Sequence, residues 1–143
     1  MATDRSSSAG PLSPDPIDVL IVGAGPVGLA LALQAHAHGA HVRVVERRRA
    51  VFRPSRAMIL HPRTMESLRP LGVTDALVAR AMRSPQIRIH LASREHTVQL
   101  DAFGLVNTPF PEPLLVRQSD LEAVLAAALA LRGVVVERGV ELE

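Results

Sequence analysis

Residues 17–46, IDVLIVGAGPVGLALALQAHAHGAHVRVVE, decide the fold. Ile17–Val22 is a short apolar run that ends at a glycine and predicts a buried strand. A helix is predicted from Pro26 to about His38, where apolar residues follow helical spacing up to a glycine stop. His41–Glu46 predicts a second strand. This order predicts a βαβ unit with parallel strands and a right-handed crossover.

The turn between strand and helix, GAGPVG, matches the pattern G-x-G-x-x-G. Gly23 permits a sharp turn. Gly25 lacks a β-carbon, so a pyrophosphate can approach the main chain, and Gly28 lets the helix pack closely on the strand. The helix N terminus, which begins at Pro26 and Val27, offers the N–H groups of its non-proline residues and a partial positive charge to phosphates.

Glu46 follows Gly28 by 18 residues, at the end of the second predicted strand. This interval is near the value of about 20 that is typical of the acid that binds an adenosine ribose and repels a 2′-phosphate. The alternative is a tight turn with no ligand and a solvated strand end. The complete strand–turn–helix–strand–acid context favours nucleotide binding, but it does not distinguish FAD from NAD.

Composition excludes several other classes of function. The chain has 143 residues, 48% hydrophobic and 21% charged, which fits one globular domain. It has no cysteine, so disulfides, thiolate metal sites and iron–sulfur clusters are excluded. All 16 basic residues are arginine, so the isoelectric point near 10.8 reflects missing titratable groups, and the net charge is only +2. With three phenylalanines as its only aromatic residues, the chain is not expected to bind nucleic acid.

Three further segments could suggest other sites or locations. Residues 1–16 are rich in Ser and Pro and predict a disordered leader without the apolar region of a signal peptide, so we expect a cytoplasmic protein. The uncharged stretch Val19–Val42 is interrupted by glycines and is not expected to span a membrane. His36, His38 and His41 have no accompanying carboxylate in a metal-binding pattern, so no metal site is expected.

The remainder of the chain predicts shorter elements. They are helices at Pro62–Leu68, Asp75–Met82 and from Ser119 to Arg132, an antiparallel hairpin of Gln86–Leu91 and Thr97–Asp101 with one face buried, a proline-rich connector, Pro109–Pro113, that leads to Leu114–Val116, and a third buried strand at Val134–Glu137. Thr74 is predicted to cap the second helix. Ser119 and Glu122 are predicted to form a capping box on the third. Pro70 is predicted to kink the end of the first.

Three parts of the sequence, in this order, closely resemble the FAD-dependent aromatic hydroxylases, the single-component flavoprotein monooxygenases of the p-hydroxybenzoate hydroxylase type. They are Asp18–Arg47, then Ser55–Ala57 with His61–Glu66, and finally Arg117–Glu122. The resemblance covers nearly everything from residue 17 onward. It implies an α/β, Rossmann-like FAD-binding fold with the start of an inserted β-hairpin substrate domain.

The resemblance also implies roles for matching positions. The glycine turn would hold the FAD pyrophosphate, Glu46 the adenosine ribose, and Arg47 would lie by the adenine. Arg56 would reach the phosphates and the ribityl region, and Gln118 would contact the flavin side of the cofactor. A planar guanidinium suits phosphate oxygens, and a glutamine can both donate and accept. Most arginines are simply solvated, which is the alternative for Arg47 and Arg56.

The activity implied by the resemblance is hydroxylation of a small aromatic substrate with NADH or NADPH and O₂. No residue is a recognisable catalytic acid or base, so we name no catalytic residue. Two alternatives stay open. One is another FAD- or NAD-linked oxidoreductase that shares only the βαβ unit. The other is a truncated, catalytically inert nucleotide-binding fragment.

The expected domain organisation follows the same resemblance. Residues 17–84 would form the FAD-binding βαβ region, 85–112 the hairpin and proline-rich connector that begin the substrate domain, and 113–143 a return to the FAD-binding domain. The Asp-Gly and Gly-Asp pairs of the family do not occur. We therefore expect an incomplete fold, the N-terminal portion of a larger enzyme.

Overall fold

The computed structural model describes residues 16–50, 59–82, 86–92, 94–99 and 105–143. The predicted leader, apart from Pro16, and the Ser55–Ala57 motif with Arg56 lie outside these ranges. In chain order the described elements are β1 (Val19–Val22), α1 (Pro26–Ala37), β2 (Val42–Glu46), β3 (Ile59–Leu60), α2 (Pro62–Leu68), a 3₁₀ turn (Arg69–Leu71), α3 (Thr74–Val78), β4 (Gln86–Leu91), β5 (Arg94–Gln99), β6 (Leu114–Leu115), α4 (Gln118–Ala130) and β7 (Val136–Arg138).

A parallel sheet with the order β1–β2–β7 forms the centre of the fold. Val19 lies opposite Val42, and Val44 lies opposite Val136. The predicted βαβ unit is confirmed, with each strand starting one or two residues later than expected. Because all three strands run in the same direction, their carboxyl ends meet at one edge of the sheet.

The core lies between this sheet and helices α1 and α4, which pack against each other. Each helix buries leucines one turn apart: Leu29 and Leu33 on α1, and Leu121, Leu125 and Leu129 on α4. Side chains four residues apart share one helix face, so each helix presents a continuous apolar stripe to the other. Val44 of β2 is fully buried in the same cluster.

The predicted helix caps are wrong. Helix α3 begins at Thr74 itself, with Val73 as its cap residue and no side-chain hydrogen bond. Helix α4 begins at Gln118, so Ser119 lies inside its first turn and Arg117 is the cap residue, again without a side-chain hydrogen bond. In α4, Arg117 is still extended and the chain becomes helical directly after it. The Ser119 hydroxyl therefore lies two residues beyond the cap position.

Pro70 does not kink α2 within its length. It lies in the 3₁₀ turn that continues α2, and the turn ends at Gly72, whose φ is +73°. A proline is compatible with the first positions of a helical turn because the N–H that it lacks has no helical partner there. Helix α2 therefore passes at its end into a narrower 3₁₀ turn.

The β4–β5 hairpin is antiparallel, as predicted, but its turn and its burial differ from expectation. Leu91 lies opposite Arg94, so two residues connect the strands instead of the five between the predicted strand ends. Ile89 and Leu91 are 40% and 61% exposed, so the predicted buried face is wrong for the side chains that the structure describes. In the described ranges, β4 and β5 pair only with each other.

Two histidines near α1, His38 and His41, bond to main-chain carbonyls. Nδ1 of His38 lies 2.8 Å from the Gln34 carbonyl oxygen, and Nδ1 of His41 lies 3.1 Å from that of Pro16. Among the residues with described positions, no group of three potential ligands could hold a metal ion. Searching the same residues for a helix long and apolar enough to cross a bilayer finds none.

Arg43 and Glu137 join β2 to β7 on the sheet surface. Nε of Arg43 donates to Oε1 of Glu137 at 2.7 Å, and Nη2 donates to Oε2 at 2.8 Å. The hydrogen bond to Arg43 and the attraction of its charge lower the pKa of Glu137, and the same pair raises the pKa of Arg43. Both side chains are partly exposed, so the pair is a small contribution to stability.

Replacing Leu33 with alanine should lower the free energy of unfolding by about 2–5 kcal/mol, because a fully buried leucine leaves a cavity between α1 and the sheet. Thermal or urea unfolding, monitored by circular dichroism, measures this free energy of unfolding. Leu131→Ala is the control: Leu131 is 90% exposed, so its replacement should change stability by less than about 0.5 kcal/mol. Equal losses for the two variants would contradict the assigned core.

Glu137→Gln should lower the melting temperature slightly at neutral pH, and the difference should vanish in acid. Because the folded pKa of Glu137 is lowered, its contribution is present above the unfolded glutamate pKa of about 4.3 and is lost as the pH falls through the folded value. Melting curves from pH 7 to pH 3 measure the difference. Glu112→Gln is the control, because Glu112 is exposed. An equal change of melting temperature in the two variants would contradict a specific role for the Arg43–Glu137 pair.

Candidate functional site

A cleft opens at the carboxyl edge of the parallel sheet. It has a volume of about 390 Å³ and lies where the turn after β1, the loop after β2 and the segment after β7 meet. Its lining consists of Val22, Gly23, Glu46, Arg47, Arg48, Val140, Glu141 and Leu142. Open α/β sheets bind their ligands outside the carboxyl ends of the strands, which makes this cleft the first candidate for a site.

The GAGPVG turn has the backbone that its glycines predict. Gly23 has φ +107°, a conformation that residues with a side chain rarely adopt, and its N–H donates to the Val45 carbonyl at 2.7 Å. A β-carbon on Gly28 would lie 2.0 Å from the Gly23 carbonyl oxygen, so only glycine fits there. Gly25 is the extended cap residue of α1, and no side chain caps that helix.

Pro26 and Val27 form the first turn of α1, immediately after that cap residue. The first N–H groups of a helix have no acceptor within the helix and carry its partial positive charge. Within the described residues Gly25 makes no side-chain cap, so the non-proline residues of this turn present main-chain donors at the sheet edge. This arrangement suits an anionic group.

Glu46 joins three loops at the cleft. Its side chain is buried; Oε2 accepts a hydrogen bond from the Ala24 N–H at 3.0 Å, and Oε1 accepts one from the Arg48 N–H at 3.0 Å. Its carbonyl oxygen accepts from the N–H groups of Gly139 at 2.7 Å and Val140 at 3.2 Å. One residue therefore fixes the glycine turn, the loop after β2 and the segment after β7 relative to one another.

This bridging by Glu46 was missed by the sequence reasoning, which treated the acid only as a ligand for a ribose. The spacing from the glycine turn indicated that the acid would reach the same sheet edge, but no sequence pattern showed that it would bond to the turn itself. A carboxylate offers about four acceptor positions, so the bonds to Ala24 and Arg48 do not by themselves exclude a sugar hydroxyl.

Arg47 lies at the cleft, where Nη1 is 3.7 Å from Oε1 of Glu141. Both side chains are largely exposed, so this pair is a weak, solvent-screened contact. Arg56, the other arginine predicted from the sequence, lies outside the described residues.

Gln118 lies at a second cavity, of about 300 Å³, which also borders the start of α1. The lining consists of Pro26, Val27, Ile59, Leu60, Val116, Gln118 and Leu121. The structure thus brings Gln118 close to the glycine turn, but into a different cavity from Glu46. Nε2 of Gln118 donates to Oε1 of the buried Glu122 at 2.9 Å. Sequence reasoning named Glu122 only for a helix cap.

Changing Gly28 to alanine should lower the free energy of unfolding by about 1–3 kcal/mol, because the added carbon meets the Gly23 carbonyl. Helix propensity alone would favour alanine by about 1 kcal/mol, so the sign of the change reports the close approach. Urea unfolding measures the free energy of unfolding. Ala35→Gly in the same helix measures the effect of helix propensity alone. A more stable Gly28→Ala variant would show that α1 does not approach the turn this closely.

Comparison with known proteins places the chain in a family. Residues 16–143 match the family described as "FAD binding domain". The chain is 40% identical over 133 residues to 6-methylpretetramide 4-monooxygenase of Streptomyces rimosus, covering 92% of this chain and 24% of the relative. It is 35% identical over 109 residues to rifampicin monooxygenase of Streptomyces venezuelae, covering 75% and 20%.

Solved structures agree with this match. A ternary complex of aklavinone-11 hydroxylase with FAD and aklavinone has a TM-score of 0.74 at 33% identity, over 90% of this chain and 26% of that one. The p-nitrophenol 4-monooxygenase of Pseudomonas putida DLL-E4 has a TM-score of 0.71 at 28% identity, over 84% and 31%.

The chain spans about a quarter of the length of these curated relatives. The resemblance seen in the sequence is confirmed, and FAD is the cofactor of the family that it matches. Because the match extends over residues 16–143, the chain belongs to the family described as "FAD binding domain", and the two curated relatives compared above are monooxygenases.

Proposed function

We propose that this chain is the FAD-binding portion of a flavin-dependent monooxygenase that hydroxylates a small aromatic substrate with NADH or NADPH and O₂. The observation that carries the proposal is the hydrogen bond between the Ala24 N–H and Glu46, because it joins the glycine turn and the acid in one cleft. The names of the relatives support the reaction class, since they are monooxygenases and hydroxylases of aromatic compounds such as pentachlorophenol and aklavinone.

The residues present fit FAD. The close approach at Gly28 excludes any side chain there, and Gly23 needs its positive φ, so the turn exposes main chain instead of side chains. The uncapped start of α1 suits a pyrophosphate. The buried carboxylate of Glu46 at the same edge suits ribose hydroxyls, and it disfavours the 2′-phosphate that NADP would place there.

FAD is long enough to need both cavities. In our proposal the adenosine half occupies the cleft, with Glu46 at the ribose and Arg47 by the adenine. The pyrophosphate is bound by the main chain of Gly23, Gly25, Pro26, Val27 and Gly28. Pro26 and Val27 also line the second cavity, where Gln118 faces the flavin side. The role of Arg56 at the phosphates and ribityl region stays a prediction from the sequence.

When bound, FAD supplies the redox chemistry, accepting a hydride from NADH or NADPH and using O₂ for the hydroxylation. The described residues contribute binding and orientation. The glycine turn neutralises phosphate charge with main-chain N–H groups, and Glu46 holds the walls of the cleft together. We assign no catalytic residue to this chain.

The proposed domain organisation is that of the sequence analysis. Residues 17–84 and 113–143 would build the FAD-binding domain, and residues 85–112 would begin a substrate domain inserted into it. The exposed apolar side chains of Ile89 and Leu91 support the second part, because such a hairpin face is suited to packing against further protein. A cytoplasmic location stays a prediction.

The purified chain should bind FAD, and Glu46→Gln should weaken binding by about tenfold or more. Glutamine keeps the shape of glutamate but removes the charge, and its NH₂ group cannot accept a hydrogen bond, so either the Ala24 N–H or the Arg48 N–H loses its acceptor. Quenching of flavin fluorescence in a titration measures the dissociation constant. The rise in melting temperature with FAD concentration gives an independent value.

Glu141→Gln is the matched control, because Glu141 lines the same cleft but is exposed, and its contact with Arg47 is a weak, solvent-screened ion pair. It should change the dissociation constant by less than about threefold. A folded wild-type chain with no measurable affinity for FAD would contradict the proposal. Equal losses in the two variants would remove the assigned role of Glu46.

A further inference from the structure

Glu122 is a buried carboxylate that the proposed function does not use. It lies in the second turn of α4, where both neighbouring apolar positions, Leu121 and Leu125, are buried as well. Burying a carboxylate is unfavourable unless it accepts hydrogen bonds. Its position in an otherwise apolar helix face therefore calls for a specific partner.

One such partner is the side chain of Gln118. The two residues are four apart on α4, so they lie on the same helix face. Nε2 of Gln118 donates to Oε1 of Glu122 at 2.9 Å. A carboxylate can only accept, so it can bond to the NH₂ end of the amide and not to the carbonyl end. The bond therefore selects one of the two orientations of the Gln118 amide.

Resting on the proposed function, we infer that Glu122 is a positioning residue for the cofactor: by accepting a hydrogen bond from the NH₂ group of Gln118, it fixes the orientation in which Gln118 presents its amide to FAD. Gln118 lines the cavity beside the start of α1, and Glu122 is not among the residues that line it. Glu122 acts through Gln118 and does not itself touch the cofactor.

A first experiment tests the orientation of the Gln118 amide without FAD. In ¹⁵N spectra of the wild-type chain, the two side-chain amide protons of Gln118 should be shifted apart, and the bonded one should exchange slowly with water. In Glu122→Gln the neighbour can accept or donate, so the amide is no longer held in one orientation and both features should weaken. An unchanged Gln118 amide in this variant would overturn the inference.

The second test measures FAD affinity in a double-mutant cycle of Glu122→Gln and Gln118→Ala. Glu122→Gln should weaken FAD binding roughly three- to tenfold in the wild-type background, the size expected for one misdirected neutral hydrogen bond. In the Gln118→Ala background it should cause no further loss. Visible circular dichroism of the bound flavin should change in Glu122→Gln, since it reports the surroundings of the flavin.

Glu112→Gln is the control, because Glu112 is exposed and precedes α4; it should leave affinity and spectra unchanged. If Glu122→Gln does not fold, Glu122→Asp replaces it, since the shorter side chain withdraws the acceptor but keeps the charge. Equal losses from Glu122→Gln with and without the Gln118 amide would overturn the inference, because Glu122 would then act independently.

Failure of the proposed function gives a different pattern. If neither the wild-type chain nor any variant binds FAD, the proposed function fails, and the ¹⁵N test still decides whether Glu122 orients Gln118. If the wild-type chain binds FAD but Glu122→Gln changes neither the affinity nor the Gln118 amide, the function stands and the positioning role is wrong.

Discussion

The hydrogen bonds of Glu46 are the constraint on which the rest of the site depends. Three parallel strands end at the same edge of the sheet, and the loops that follow them would be held together only loosely by the strands alone. The Glu46 side chain bonds to the turn after β1 and to the loop after β2, and its carbonyl bonds to the segment after β7. The walls of the cleft are thereby connected through one buried residue. A site organised before its ligand arrives loses less entropy on binding.

Two buried glutamates, Glu46 at the end of β2 and Glu122 on α4, are each held in place by hydrogen bonds. Each is removed from water, and each accepts hydrogen bonds from groups that border a cavity: main-chain N–H groups for Glu46 and the Gln118 amide for Glu122. The requirement that a buried carboxylate be bonded makes each of them fix the direction of its neighbours. The binding surfaces between them need not carry charge themselves, since main-chain donors and an amide suffice.

Short-range patterns predicted the elements well because their causes are short-range. Apolar runs interrupted by Gly23 and Gly39 predicted β1, α1 and β2, whose order and parallel pairing are confirmed. The predictions of the helix caps were wrong because the residue type alone does not fix where a helix begins. Thr74 and Ser119 are residue types that cap well, but the structure starts each helix at or before them. The hairpin was predicted to bury one face because its pattern alternates, yet alternation states only which side chains share a face and not what covers it.

By itself the sequence determined the βαβ unit, the glycine turn, the acid at the end of β2 and the resemblance to the FAD-dependent hydroxylases. Each of these depends on residue types and spacings within about thirty positions, where chain geometry leaves few alternatives. Only the tertiary structure decided that Glu46 bonds to Ala24 and to the Gly139 segment, and that the buried Glu122 holds Gln118 beside the start of α1. These arrangements depend on which strands become neighbours and which helix face is buried, and both follow from packing of the whole core, because segments far apart in the chain must first be brought together.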